Sequence, residues 1–271
     1  MHRFHSTPDR CAAPIFSLTD AEARHASQVL RLQPGDRVEV IDGQGGLIEA
    51  EILVSGRRGV EVRALHRQLQ ARAPGNLVLC QALLKGKALE TVLEKSVELG
   101  ASRVVLLETE RCVARVPADE AERKRSSWSQ TLIEAAKQSR NAWLPELVGP
   151  LPLAPALEGL GPANRTRLLV ASLEPGTPPL GAVLRSLPTA SDEASLAVAI
   201  GPEGDFSPAE LERFRAAGAH SASLGPLILR AETAAIAALA ILADVARRWR
   251  SGVRLPATNL GHSHPSSPSP T

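Results

Sequence analysis

A chain of 271 residues with 44% hydrophobic and 22% charged residues is long enough to bury one large core or two modest ones. Its formal net charge of +2 carries no basic excess, and aromatics at 3% with no tyrosine limit any RNA-binding mode built on stacked rings. Cys11, Cys80 and Cys112 lack the spacing of metal ligands or of a disulfide framework, and no apolar run reaches membrane-spanning length, so a metal-free, cytoplasmic chain with reduced thiols is expected.

Residues 1–70 read as a β-rich domain with one helix. Thr19-Asp20-Ala21-Glu22 has the pattern of a capping box and predicts a helix from there to about Arg31, stopped before Pro34-Gly35. Arg37 to Ile41 alternates, and after a glycine-rich turn Leu47 to Val54 alternates again, placing Ile48, Ala50, Ile52 and Val54 on one face. Gly59 to Leu65 continues the sheet. The Gly43-Gln44-Gly45 fragment is read as a hairpin turn and not a phosphate loop, because a strand rather than a helix follows it.

Residues 67–75 read as a linker, after which the pattern changes. Strands are expected at Leu77–Leu84, Val104–Leu107, Leu168–Ala171 and Leu196–Ile200. Helices are expected at Ala88–Leu99, Asp119–Arg140, Leu180–Leu187, from the second capping box Ser207-Pro208-Ala209-Glu210 to Gly218, and at Glu232–Arg250. Alternating strands and helices predict an α/β domain over 75–250 with a mainly parallel sheet covered on both faces, whose ligands bind beyond the C-terminal strand ends. Residues 252–271, rich in serine and proline, are expected to be a disordered tail in which His262 and His264 are solvated.

Two segments carry candidate chemistry. In Gly201-Pro202-Glu203-Gly204-Asp205-Phe206 the glycines permit positive φ and close backbone approach to a ligand, and Glu203 can accept hydrogen bonds. A tight turn stabilised by Ser207 would explain only part of this loop. About twenty residues on, Leu224-Gly225-Pro226-Leu227-Ile228-Leu229 leads into Arg230-Ala231-Glu232-Thr233, the start of a long helix whose free amides favour anions. Arg230 sits between an apolar run and a helix start, a poor place for a residue serving only solubility. A third cluster, Glu134 to Asn141, concentrates polar donors at a helix end and suits either phosphate contact or simple capping. Lys85, Lys87 and Lys95 read as a solvated face, and His25 as a packing or surface residue.

These segments, with His25-Ala26-Ser27-Gln28-Val29-Leu30-Arg31 and Lys95-Ser96-Val97-Glu98-Leu99-Gly100, resemble in order the motifs of the RsmE family, which methylates N3 of a uridine in 16S ribosomal RNA within the trefoil-knotted SPOUT superfamily. The resemblance spans the chain from Met1-His2-Arg3-Phe4 to the last helix. It implies an N-terminal PUA-like RNA-binding β-barrel over 1–70, a C-terminal SPOUT α/β domain with a deep trefoil knot over 75–250, S-adenosylmethionine bound by the knot loops, and a homodimer with the active site near the subunit interface. Carried over, the cofactor site comprises Leu173, Glu174, Gly201, Pro202, Glu203, Gly204, Leu224, Gly225, Leu229 and Arg230. Arg230 and Glu232 are the catalytic candidates. Arg3, His25, Arg31, Gln138, Ser139, Arg140 and Asn141 are candidates to hold RNA.

Three positions depart from the family pattern. Asp205 stands where glycine is usual, Leu227 where a basic residue is usual, and Lys137 where glutamate is common. If position 205 needs positive φ, aspartate is tolerated with less ease than glycine. Two other readings fit the same residues: a non-catalytic RNA-binding or ribosome-assembly protein of this fold, and a knotted methyltransferase acting on a ribose 2′-hydroxyl or on tRNA.

Overall fold

The computed structural model describes residues 1–161, 165–187 and 195–250; the expected tail, with His262 and His264, lies outside them. The described residues form two sheets. The first has the order β1-β3-β4-β5-β2, from β1 (His2–His5), β2 (Ile15–Ser17), β3 (Arg37–Ile41), β4 (Gly46–Gly56) and β5 (Gly59–Leu69). β1 and β3 pair in parallel, and the other pairs are antiparallel. Alternation along β3, β4 and β5 sends Val38, Val40, Ile48, Ala50, Ile52, Val60 and Val62 to one core, which Phe4 and Phe16 complete. Val54 departs from the expected face and is exposed, because the register shifts between Ile52 and Val54.

Helix α1 (Pro8–Cys11) and helix α2 (Asp20–Arg24) flank this sheet. The helix expected to reach Arg31 is α-helical only to Arg24, continues as a π-helical turn over His25–Val29, and ends before Arg31, whose φ is +54°. Only half of the expected capping box forms. Thr19 Oγ1 accepts from Glu22 N at 3.4 Å, but the Glu22 carboxylate turns away to the backbone N–H of His5 and to Lys137. The expected linker is shorter than 67–75, since β5 runs to Leu69.

The second sheet is six-stranded and parallel throughout, with the order β11-β9-β10-β6-β7-β8. Its strands are β6 (Asn76–Ala82), β7 (Ala101–Glu108), β8 (Glu146–Pro152), β9 (Thr166–Ala171), β10 (Ser195–Ile200) and β11 (His220–Ala222). The helices between them are α3 (Lys87–Glu98), α4 (Ala121–Ser139, after a 3-10 turn at Ala118–Glu120), α5 (Leu153–Glu158), α6 (Leu180–Ser186) and α7 (Pro208–Ala216), and α8 (Ala231–Arg250) follows β11. Sequence reading missed β8, α5 and β11, along with α1 and the two short strands β1 and β2. Each is short or interrupted by proline or glycine, and so carries little periodicity.

The central strands are apolar on both faces because both are covered. Leu77, Leu79, Leu106 and Val198 face α3, α4 and α8, while Val78, Cys80, Val105 and Ala199 face Leu153 of α5 and Phe214 of α7. Phe206 and Phe214 meet edge to face at 4.8 Å between ring centroids. Burial pushes the Cys80 thiol up to about 12.

The two sheets meet at the C-terminal end of α4. Lys137 bonds Glu22, and a few residues on Trp143 lies against the β3–β4 turn, where a Cβ on Gly45 would come within 2.4 Å of its ring. The glycines at 43 and 45, both at positive φ, therefore serve a hairpin turn and the close approach of Leu144 and Trp143.

Candidate active site

Where β9 and β10 end side by side, a cleft of about 470 Å³ opens, within the roughly 300–1,000 Å³ typical of small-molecule sites. One wall is Ala171, Ser172 and Leu173 after β9. The floor is Ile200, Gly201 and Pro202 after β10, with Glu203 and Asp205 beyond. Leu224, Gly225 and Leu227 to Ala231 form the far wall, which leads into Glu232 and Ala234 on α8, and Ala88 of α3 closes the inner end. The position is dictated by topology, since strand ends of a parallel sheet leave backbone groups unpaired and bring successive loops together.

The loop after β10 is held in shape by specific bonds. Neither Gly201 nor Gly204 lies in the left-handed region. Asp205 does, at φ +60°, and its Oδ1 accepts from Phe206 N at 2.8 Å. The glycines are favoured instead by tight packing: a Cβ on Gly201 would sit 3.1 Å from Phe206 N, and one on Gly204 would sit 3.3 Å from Arg111 Cβ, so either neighbour would have to give by a few tenths of an ångström. Aspartate is among the side chains that accept a left-handed backbone with least strain, so this departure from glycine preserves the turn.

A brace from the loop after β7 completes the frame. Arg111 Nη1 donates to the carbonyls of Gly204 at 2.9 Å and Phe206 at 3.3 Å. Glu210 is 2% exposed and accepts from Glu110 N at 2.8 Å through one oxygen and from Ser207 N at 2.9 Å through the other, while Ser207 Oγ accepts from Glu210 N. Here the full capping box read from the sequence forms, with an added bond across the fold. Sequence reading missed Arg111 and Glu110 because their partners lie 93 to 100 residues away and no local pattern marks them.

The catalytic candidates stand together. Arg230 precedes α8, its carbonyl accepts from Ala234 N at 2.8 Å, and its side chain is exposed at the cleft; Glu232 follows in the first turn. Of the cofactor candidates, Leu173, Gly201, Pro202, Glu203, Leu224, Gly225, Leu229 and Arg230 line the cleft. Glu174 and Gly204 do not. Glu174 pairs with Arg215 of α7 and Ser172, and the Arg215 guanidinium holds its carboxyl below the usual range. Gly204 acts through its bond to Arg111.

The RNA candidates lie elsewhere, on either side of the α4 joint. His25 and Arg31 are exposed, with the His25 ring edge-on to Phe4. Gln138 and Arg140 are exposed, and Arg140 ends α4 with φ +61°. Arg3 and Asn141 are committed inward. The Arg3 side chain is 8% exposed and pairs with Glu39 at 2.7 Å; Asn141 donates to Val97 O at 3.1 Å and accepts from Trp143 N at 3.0 Å. The Ser139 hydroxyl is buried. None of residues 138–141 lines the cleft in a single chain.

Among the described residues no cluster of histidine, cysteine, aspartate or glutamate could hold a metal, and no helix is long and apolar enough to cross a membrane. Residues 71–243 match the family described as RNA methyltransferase domain, and residues 18–65 match RNA methyltransferase PUA domain. The chain is 34% identical to a ribosomal RNA small subunit methyltransferase E from Synechocystis sp., over 88% of this chain and 76% of that one. It is 28% identical to the protein of the same description from Bacillus subtilis, over 85% and 90%. The fold is similar to that of a putative methyltransferase from Legionella pneumophila in complex with the bound cofactor SAM, with a TM-score of 0.80 and 29% identity over 89% and 96% of the chains. It is equally similar to a ribosomal RNA small subunit methyltransferase E from Neisseria gonorrhoeae bound to S-adenosyl methionine, with a TM-score of 0.80 and 27% identity over 90% and 98%.

Proposed function

The chain belongs to the RsmE family and is an S-adenosylmethionine-dependent rRNA methyltransferase; we propose that the atom it methylates is N3 of a uridine in 16S rRNA of the small subunit. The observation that carries this reading is the cleft at the ends of β9 and β10, where an apolar floor and turns of open backbone meet Arg230 and Glu232 at a helix start.

The donor set suits the cofactor. Ile200, Leu224 and Leu229 offer apolar surface for a nucleoside base, Gly201 and Gly225 leave the backbone bare, and Glu203 can accept from ribose hydroxyls. When bound, S-adenosylmethionine supplies an electrophilic methyl group on a positively charged sulfur. The protein's task is then to align uracil N3 with it and to manage one proton. Arg230 stabilises the negative charge that develops on a uracil carbonyl as N3 loses its proton, and Glu232 accepts that proton or orients Arg230.

Gln138 and Arg140 at the end of α4 and His25 and Arg31 of the first domain hold the RNA, with Asn141 fixing the backbone beside them through Val97 O and Trp143 N. Because residues 138–141 do not line the cleft of their own chain, the reading includes a homodimer in which one protomer's RNA surface serves its partner's cleft. Exposed Leu227 and Ile228 at the rim, 75% and 83% accessible, support a protein contact there. Residues 1–70 form a PUA-like barrel and 75–250 a SPOUT domain whose C-terminal part is knotted, consistent with the insertion of β10 between β9 and β6. The site of action is the cytoplasm, where the substrate is.

The test is incubation of the purified protein with labelled S-adenosylmethionine and unmodified small ribosomal subunits, followed by nucleoside mass spectrometry. N3-methyluridine is expected. A 2′-O-methylated nucleotide would move the assignment to another knotted methyltransferase. No transfer, with cofactor binding also absent, would favour the assembly-factor reading.

A further inference from the structure

Lys137 sits between the polar residues of the α4 end, yet its ammonium group does not face solvent. Its side chain is 10% exposed, and its three donors are all used: 3.0 and 3.1 Å to the two oxygens of Glu22, and 2.9 Å to Glu134. Glu22, 7% exposed, belongs to the other sheet's helix α2 and also accepts from the backbone N–H of His5 on β1 at 3.1 Å. One buried pair thus ties α4 of the parallel domain to two elements of the N-terminal domain. Six residues further on, Trp143 fills the hollow over Gly45, and its indole N–H donates to Gln70 O at 2.8 Å. The residues between these two fixings are 138 to 142.

We infer that Lys137 is a positioning residue for substrate RNA: through Glu22 it fixes the angle between the domains and so the register of Arg140 and Gln138 against His25 and Arg31. This rests on the rRNA methyltransferase reading above. A surface divided between two domains binds one rigid RNA well only if its halves are already set, since ordering them on binding subtracts from affinity. A buried, bonded ion pair supplies orientation because removing Lys137 strands the buried Glu22 carboxylate, and removing that carboxylate leaves the Lys137 ammonium only its exposed partner Glu134, which makes intermediate angles unfavourable. Lys137 therefore acts without touching RNA.

The alternative is a direct phosphate contact by Lys137, and the two make opposite predictions for Glu22. The experiment uses the full chain as Lys137→Met, Glu22→Gln, the double variant and Lys137→Arg. Rates of methyl transfer to small ribosomal subunits are paired with cofactor affinity by calorimetry and hydrogen exchange at the His5 amide. A positioning role predicts that Lys137→Met and Glu22→Gln each raise KM for RNA by about tenfold. It also predicts unchanged cofactor affinity, a double variant no worse than either single one, and near wild-type KM for Lys137→Arg. The His5 amide should exchange faster in both single variants. A normal KM in Glu22→Gln beside a raised one in Lys137→Met would overturn the inference in favour of direct contact, and normal KM in both would remove Lys137 from RNA binding altogether. Should Lys137→Met fail to fold, Lys137→Arg, which keeps the charge, and Glu22→Gln, which keeps the volume while weakening the pair, carry the comparison. Failure of the wild-type chain to methylate rRNA would instead overturn the functional reading, and the exchange measurement would still report whether the pair fixes the joint.

Discussion

Replacing Glu210 tests whether the cleft is shaped by the brace beneath it. The carboxylate accepts from Glu110 N and Ser207 N, at 2.8 and 2.9 Å, from a site 2% exposed. Glu210→Gln keeps the volume but offers a single acceptor oxygen, so one of the two amides faces an NH2 group and loses its bond. Hydrogen bonds to charged groups contribute about 1.5–3 kcal/mol each, and a buried orphan amide adds to the loss. For a chain of this size each kcal/mol moves Tm by roughly 2–4 °C, so a fall of several degrees is expected. Glu210→Ala loses both bonds and should fall further. Because Ser207 follows directly on the 201–206 loop and Glu110 precedes Arg111, which bonds Gly204, cofactor affinity should weaken along with stability, by about tenfold for each 1.4 kcal/mol lost to loop disorder. Thermal unfolding and calorimetric titration with S-adenosylmethionine read the two effects. Glu212→Gln, which removes an exposed pair with Arg215, is the control and should change stability by less than about 0.5 kcal/mol. Wild-type Tm and cofactor affinity in Glu210→Gln would refute the claim that this brace shapes the cleft.

Arg230→Ala should lower methyl transfer by roughly 100- to 1,000-fold while leaving Tm within about a degree, since the side chain is exposed; undiminished single-turnover rates would remove Arg230 from the chemistry. Burial, with Lys137 adding to it and Asp42 opposing, holds the His5 imidazole below its ordinary 6.5. The unfolded chain therefore gains a proton that the folded chain refuses as pH falls through 6.5, and stability should drop over that interval and level off once the folded imidazole titrates. An NMR titration should show His5 moving up toward 6.5 in Lys137→Met, and a His5 midpoint at or above 6.5 in the wild type would contradict the assignment. With its pKa pushed up to about 12 and its side chain buried, Cys80 should resist thiol reagents at pH 8 until the protein unfolds, which mass spectrometry of labelled peptides checks.

Much of this molecule is legible in local sequence because the information is periodic or stereochemical. Continuous apolar runs at Leu77 and Leu196 mark strands covered on both faces, the alternation at Ile48-Ala50-Ile52 marks a sheet with one buried face, and Ser207 to Glu210 announces a helix start through its own hydrogen bonds. The expectation that ligands bind after the strand ending at Ile200 came from the alternation of strands and helices alone. What local pattern cannot hold is a partner chosen from a distant part of the chain. Glu22 has the sequence of a reciprocal cap, but a buried carboxylate takes the strongest donors in reach, and the folded chain brings it Lys137 from 115 residues away. Arg111 looks like any surface arginine until β7 and β10 end near each other and put two carbonyls before it. Sequence by itself determined the longer, strongly periodic elements, the kind of sheet and the end at which a ligand would sit, because these follow from side-chain period and backbone sterics, while short elements such as β8 and β11 carry too little of either to be read. Only the tertiary structure decided which charges meet, because a buried charge is satisfied by whatever the fold places beside it.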